Sequence, residues 1–88
     1  MEKLDLFKGY MRSIEQCSSL LSMEVSKRGP RRVSLYVKYD DPSLGKIVSD
    51  MLDQVPVGCC EVYKEKVVIT FSNKGAFKKF VKDFRYLQ

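Results

Sequence analysis

The chain has 88 residues, 44% hydrophobic and 31% charged, a balance that excludes a disordered chain and suits one α+β globular domain over residues 1–88. No apolar run approaches the roughly 20 residues that span a bilayer, and Met1-Glu2-Lys3-Leu4-Asp5 does not open like a signal peptide; an intracellular protein, cytoplasmic or nucleoid-associated, without a membrane partner is expected. Sixteen Lys and Arg against 11 Asp and Glu give a net charge of +5, which favours polyanionic partners.

From Lys3 to about Ser19, apolar residues recur as Leu4, Phe7, Met11, Ile14 and Cys17, spacings of three and four that mark one face of a helix. Gly9, Ser13 and Cys17 lie four apart on the same segment. Such a stripe of small side chains lets another helix approach closely, and a second copy of the chain is the simplest neighbour. The alternative is an ordinary amphipathic helix in which Gly9 only costs stability.

The period then changes to two. Leu21, Met23 and Val25 alternate with Ser22, Glu24 and Ser26, and Val33, Leu35, Val37 and Tyr39 alternate with Ser34, Tyr36 and Lys38. The two runs flank Lys27-Arg28-Gly29-Pro30-Arg31 and predict a hairpin. Asp40-Asp41-Pro42 predicts a helix start, with aspartate as the cap and proline first in the helix. Leu44, Ile47, Val48, Met51, Leu52 and Val55 carry that helix to Pro56 and Gly58. Cys60 and Val62 against Glu61 and Tyr63, then Val67, Ile69 and Phe71 against Lys66, Val68 and Thr70, joined at Lys64-Glu65, predict a second hairpin. Ser72 or Asn73 caps a last helix that buries Ala76, Phe77, Phe80, Val81, Phe84 and Leu87 and exposes Lys78, Lys79, Lys82 and Arg85. The predicted order is αββαββα: one four-stranded antiparallel sheet with helices on one face and the other face open.

By parity the open face displays Ser22, Glu24, Ser26, Arg32, Ser34, Tyr36, Lys38, Glu61, Tyr63, Lys66, Val68 and Thr70. Hydroxyls, cations and tyrosines on one sheet can meet phosphates and base edges. The loop cations Lys27, Arg28, Arg31 and Arg32 can follow a phosphate backbone. A solvated sheet face and a solubilising turn use the same residue types, so both readings stay open. Neither Arg32–Tyr39 nor Lys66–Ser72 fits the strand signature of an RNA-recognition motif. Against catalysis, the chain has no His, hence neither the usual general base nor the commonest metal ligand. Cys17, Cys59 and Cys60 have no zinc-site spacing, and adjacent cysteines in a strand point to opposite faces and do not bridge. No catalytic residue, metal site or cofactor is expected.

The αββαββα order, with small residues along the first helix, resembles one half-domain of the LAGLIDADG homing endonucleases and of the related domain in WhiA-type bacterial regulators. Gly9-Tyr10-Met11 stands like the family's Gly-Phe/Leu-Ile, and Val33–Tyr39, the helix Leu44–Leu52, the Val57-Gly58 turn and the last strand and helix follow in similar order. The resemblance implies a first helix packed on its counterpart and a sheet lying over the DNA major groove. The family ends that helix in Asp-x-Asp-Gly, whose final acid holds the metal that cuts DNA. Counted from Gly9 the acid positions fall on Arg12 and Ile14, and counted from the next strand on Glu15 and Cys17. No register supplies both acids, which implies binding without cleavage. Sequence alone therefore points to a non-catalytic nucleic-acid-binding, DNA first, or regulatory protein acting as a homodimer. The alternative is a protein–protein adaptor or inhibitor of viral or mobile-element origin.

Overall fold

The computed structural model describes residues 3–26 and 28–84. It contains α1 (Lys3–Glu15), β1 (Leu20–Val25), β2 (Arg32–Val37), α2 (Ser43–Gln54), β3 (Gly58–Val62), β4 (Lys66–Phe71) and α3 (Lys74–Asp83). The expected αββαββα order is thus the order found. The strands form one antiparallel sheet in the order β1-β2-β4-β3. β4 pairs with both β2 and β3, so β2 and β3 run parallel, as strands joined through a helix can.

Period-two patterning places one set of side chains inward. Val33, Leu35 and Val37 of β2 and Val67, Ile69 and Phe71 of β4 are buried in the core with Phe7, Met11 and Ile14 of α1, Leu44, Val48, Met51 and Leu52 of α2, and Phe80 and Phe84. The helices therefore cover one face. An aromatic cluster ties α1 and α3 to the sheet: Phe80 lies 6.3 Å from Phe7, 5.5 Å from Phe71 and 4.9 Å from Phe84, centroid to centroid. α2 sits close on the edge strand because Gly45 has no side chain, and a Cβ there would stand 3.1 Å from a Val62 methyl. α3 starts on Asn73, whose side-chain oxygen accepts from the Ala76 backbone N–H at 2.9 Å, filling one of the helix's orphan donors.

Four expectations need correction. α1 stops at Glu15; the Cys17 N–H bonds Ile14 and the Leu20 N–H bonds Cys17, tight turns that end the helix before Cys17. In β1, Leu20 and not Leu21 faces the core. The register passes from Leu20↔Val37 to Ser22↔Tyr36, so Leu21 is the extra residue of a bulge and is 54% exposed. β2 ends at Val37, so neither Tyr39 nor Lys38 continues its alternation, and Tyr39 stands 67% exposed. At α2 the cap position belongs to Pro42, with no side-chain cap bond; Asp41 instead accepts from the Ser43 N–H at 3.0 Å. Leu87, Arg85 and the side chain of Leu4 lie outside the described residues.

Candidate nucleic-acid interface

The register arranges the outward side chains in three rows across β1, β2, β4 and β3. One row is Ser26, Arg32, Thr70 and Cys59; the next is Glu24, Ser34, Val68 and Glu61; the third is Ser22, Tyr36, Lys66 and Tyr63. Consecutive rows are about 7 Å apart, two residues of strand rise. Among the described residues no helix covers this face. Its central valine, Val68, is still only 9% exposed. Arg32 and Lys66 oppose Glu24 and Glu61, so these charges cancel and the face itself carries little of the +5 net charge.

The residues expected to bind nucleic acid separate into two ends. At one end lie Arg28, Arg31 and Arg32, all exposed; Lys27, their neighbour, is outside the described residues. The Arg31 carbonyl accepts from the Phe71 N–H at 2.8 Å, which fixes the loop beside the end of β4. α3 begins three residues later, so Lys74 and Lys78, both exposed, start from the same end. No acidic residue occurs from Ser26 to Lys38 or from Ser72 to Lys82, and that uninterrupted run is the sequence signal by which the α3 lysines join the loop. Thr70 sits in the same row as Arg32 and Ser34 one row inward.

At the opposite end stand Tyr36, Lys38, Tyr63 and Lys66, joined by Tyr39 and Lys64. The Lys66 ammonium lies 5.5 Å from the Tyr63 ring centroid and the Lys64 ammonium 5.9 Å from that of Tyr39, distances at which a cation is attracted to an aromatic face. The Tyr63 hydroxyl donates to Glu61 at 2.8 Å and the Tyr36 hydroxyl reaches Glu24 at 3.5 Å. Its bond to Glu61, and that carboxylate's charge, hold the Tyr63 phenol above its ordinary pKa. The large apolar side chains exposed among the described residues, Leu21, Tyr39, Val62 and Tyr63, all lie at this end, which β1 enters, β2 leaves and the β3–β4 turn closes.

The small-residue stripe is only partly kept. Gly9 and Ser13 are exposed on α1, nothing lies within 4 Å of where a Gly9 Cβ would be, and the Ser13 hydroxyl donates to the Gly9 carbonyl at 3.1 Å. Cys17, beyond the helix, turns inward: its Sγ is 3.1 Å from Ser19 Oγ and 3.6 Å from Ser43 Oγ. Burial pushes this thiol's pKa up, but hydrogen bonds from the Ser19 side chain and backbone and from Ser43 outweigh it, leaving it below the ordinary value. The other thiols point to opposite faces of β3. Cys59 is exposed across from Thr70; Cys60 is half-buried across from Ile69, and burial raises its pKa.

A shallow groove beside α1 is lined by Lys8, Met11, Arg12, Glu15, Gln16 and Asp83, two cations and two carboxylates over one apolar floor. Among the described residues, no three His, Cys, Asp or Glu side chains come together as a metal cage would need, and no helix is long and apolar enough to cross a membrane. No family model, no curated protein and no solved structure matches this chain.

Proposed function

We propose that this chain is a non-catalytic nucleic-acid-binding protein with a regulatory role inside the cell, and that it acts as a homodimer. One observation carries the reading: Arg28, Arg31 and Arg32 share an end of the sheet with the start of the lysine-bearing helix α3, with no acid in either segment. Cations gathered at one end release counterions from a polyanion together, which is the main source of sequence-independent affinity. The neighbouring Thr70 and Ser34 offer hydroxyls to phosphate or sugar. The αββαββα order is that of a LAGLIDADG-like half-domain, and binding without cutting is proposed because neither register, Arg12 with Ile14 or Glu15 with Cys17, supplies both acids. The exposed Gly9 and Ser13 support dimerisation through α1, where a second helix can come close; Cys17 has no part in that contact.

The test is binding of the full chain to a fluorescein-labelled 20-residue oligonucleotide, as single strand and as duplex, over a salt series. Binding that falls steeply with salt is expected. Arg31→Glu with Arg32→Glu should weaken it by roughly tenfold or more at low salt, since two of about five cations reverse sign, with circular dichroism unchanged. Absence of binding to either probe at low salt rejects the nucleic-acid reading. Ser13→Leu should move the sedimenting mass from dimer to monomer; a wild-type chain that is already monomeric at high concentration removes the dimer.

A further inference from the structure

We propose that the tyrosine–lysine end of the sheet binds single-stranded nucleic acid, stacking unpaired bases on Tyr39 and Tyr63 while Lys38, Lys64 and Lys66 meet the phosphates; this rests on the nucleic-acid reading above. Two tyrosine rings stand 67% and 49% exposed, each with a lysine ammonium within 6 Å of its centroid. An exposed ring beside a cation offers two things at once, a π-face and a phosphate partner. A nucleotide whose base is unstacked presents both complements, whereas a duplex keeps its base faces buried in its own stack and shows only edges and backbone.

Charge points the same way. The outward rows balance Arg32 and Lys66 against Glu24 and Glu61, so counterion release from this face is small. Duplex affinity without sequence contacts comes mostly from that term. A base stacked on an aromatic side chain contributes about 1–3 kcal/mol without needing net charge. The edge-strand carboxylates also direct the strand. Glu61, which accepts from the Tyr63 hydroxyl at 2.8 Å, turns phosphates away from the β3 edge towards the lysines. The lysines argue against a protein partner, because protein interfaces are depleted in Lys while enriched in Tyr; here three lysines accompany three tyrosines.

Anisotropy of fluorescein-labelled (dT)20 and of a mixed-sequence 20-base-pair duplex, both with the full chain, separates the cases. The single strand is expected to bind at least tenfold tighter. Tyr39→Ala with Tyr63→Ala should weaken (dT)20 by tenfold or more while changing duplex binding less than twofold, and Tyr63→Phe, which keeps the ring, should stay within twofold of wild type. These side chains are exposed, and circular dichroism checks that the variants fold. If the duplex binds as tightly as (dT)20, or the double alanine variant loses nothing, this inference is overturned and the nucleic-acid reading stands. If polyglutamate displaces (dT)20 at equal charge concentration, the patch is a general site for acidic chains and the inference is likewise overturned. If neither oligonucleotide binds, both fall together.

Discussion

The chain uses a hairpin followed by a helix twice, and the two copies solve the same problem differently. β1, β2 and α2 form the first unit, β3, β4 and α3 the second, and the two hairpin turns lie at opposite ends of one sheet. The first turn is long, arginine-rich and bent through Gly29 at φ 75°; the second is the short Lys64-Glu65 link between regularly paired strands. The first hairpin absorbs an extra residue as a bulge at Leu21, whereas the second keeps its register and lets a glycine bring two strands together. The first unit presents exposed loop cations, and close packing governs the second. A sheet built this way keeps its arginine loop and its exposed aromatic rings at opposite ends.

The largest expected effect breaks the second unit. Gly58 opens β3 where a Cβ would run into the Thr70 carbonyl oxygen and come within 2.9 Å of Phe71 Cα. Both are backbone of the central strand, which cannot move aside as a flexible side chain does. Gly58→Ala is therefore expected to cost about 3 kcal/mol or more, the upper range for overpacking, read from the urea midpoint. Gly29 is the counterpart in the first unit, and its reason is different. Nothing lies within 4 Å of its absent Cβ, so only the left-handed backbone resists a side chain. Gly29→Ala should cost roughly 1–2 kcal/mol by the same measurement. Equal losses at the two glycines would mean that the units are not held by different means.

The two units also differ in how far the sequence reveals them. Strict alternation through Val33–Val37 and Val67–Phe71 fixes which side chains face the helices; it does not foretell that Val68, on the outward side, is only 9% exposed. Alternation fails in β1 because Leu20 and Leu21 are adjacent and equally apolar; only the pairing with Val37 decides between them. The end of α1 was illegible for a related reason. Cys17 falls three residues after Ile14, as a helix would place it, and one of its hydrogen-bond partners, Ser43, comes from chain that sequence spacing does not bring near. Parity placed Arg32, Ser34, Tyr36, Tyr63, Lys66 and Thr70 on one face. It could not separate them into two ends, since that needs the strand order and the antiparallel sense of β2 and β4. Tyr39 continues the β2 period on its apolar side in the sequence, yet the strand stops two residues earlier and leaves it beside Lys64.

The smallest predicted difference lies at the two helix starts. Asn73 and Asp41 each accept from a backbone N–H at the first turn of the helix that follows, at 2.9 and 3.0 Å. Only one of them titrates. The Ser43 backbone N–H and then its hydroxyl stabilise the Asp41 carboxylate, and Lys38 adds to this, so its pKa lies below the ordinary aspartate value. A carboxyl whose folded pKa is depressed contributes stability that is fully present above its unfolded pKa and is lost as pH falls through the folded one. Acid should therefore loosen the start of α2 before it reaches Asn73, which keeps its amide oxygen throughout. Backbone amide NMR between pH 6 and about 2, a range chosen to pass the ordinary aspartate pKa, reads both sites in one experiment. The Ser43 resonance should move with a midpoint below that of an unperturbed aspartate, and the Ala76 resonance should not follow it. A Ser43 midpoint at or above the ordinary value would mean that Asp41 does not hold the start of α2. The first unit would then begin its helix on Pro42 alone, without the side-chain acceptor that the second unit has in Asn73.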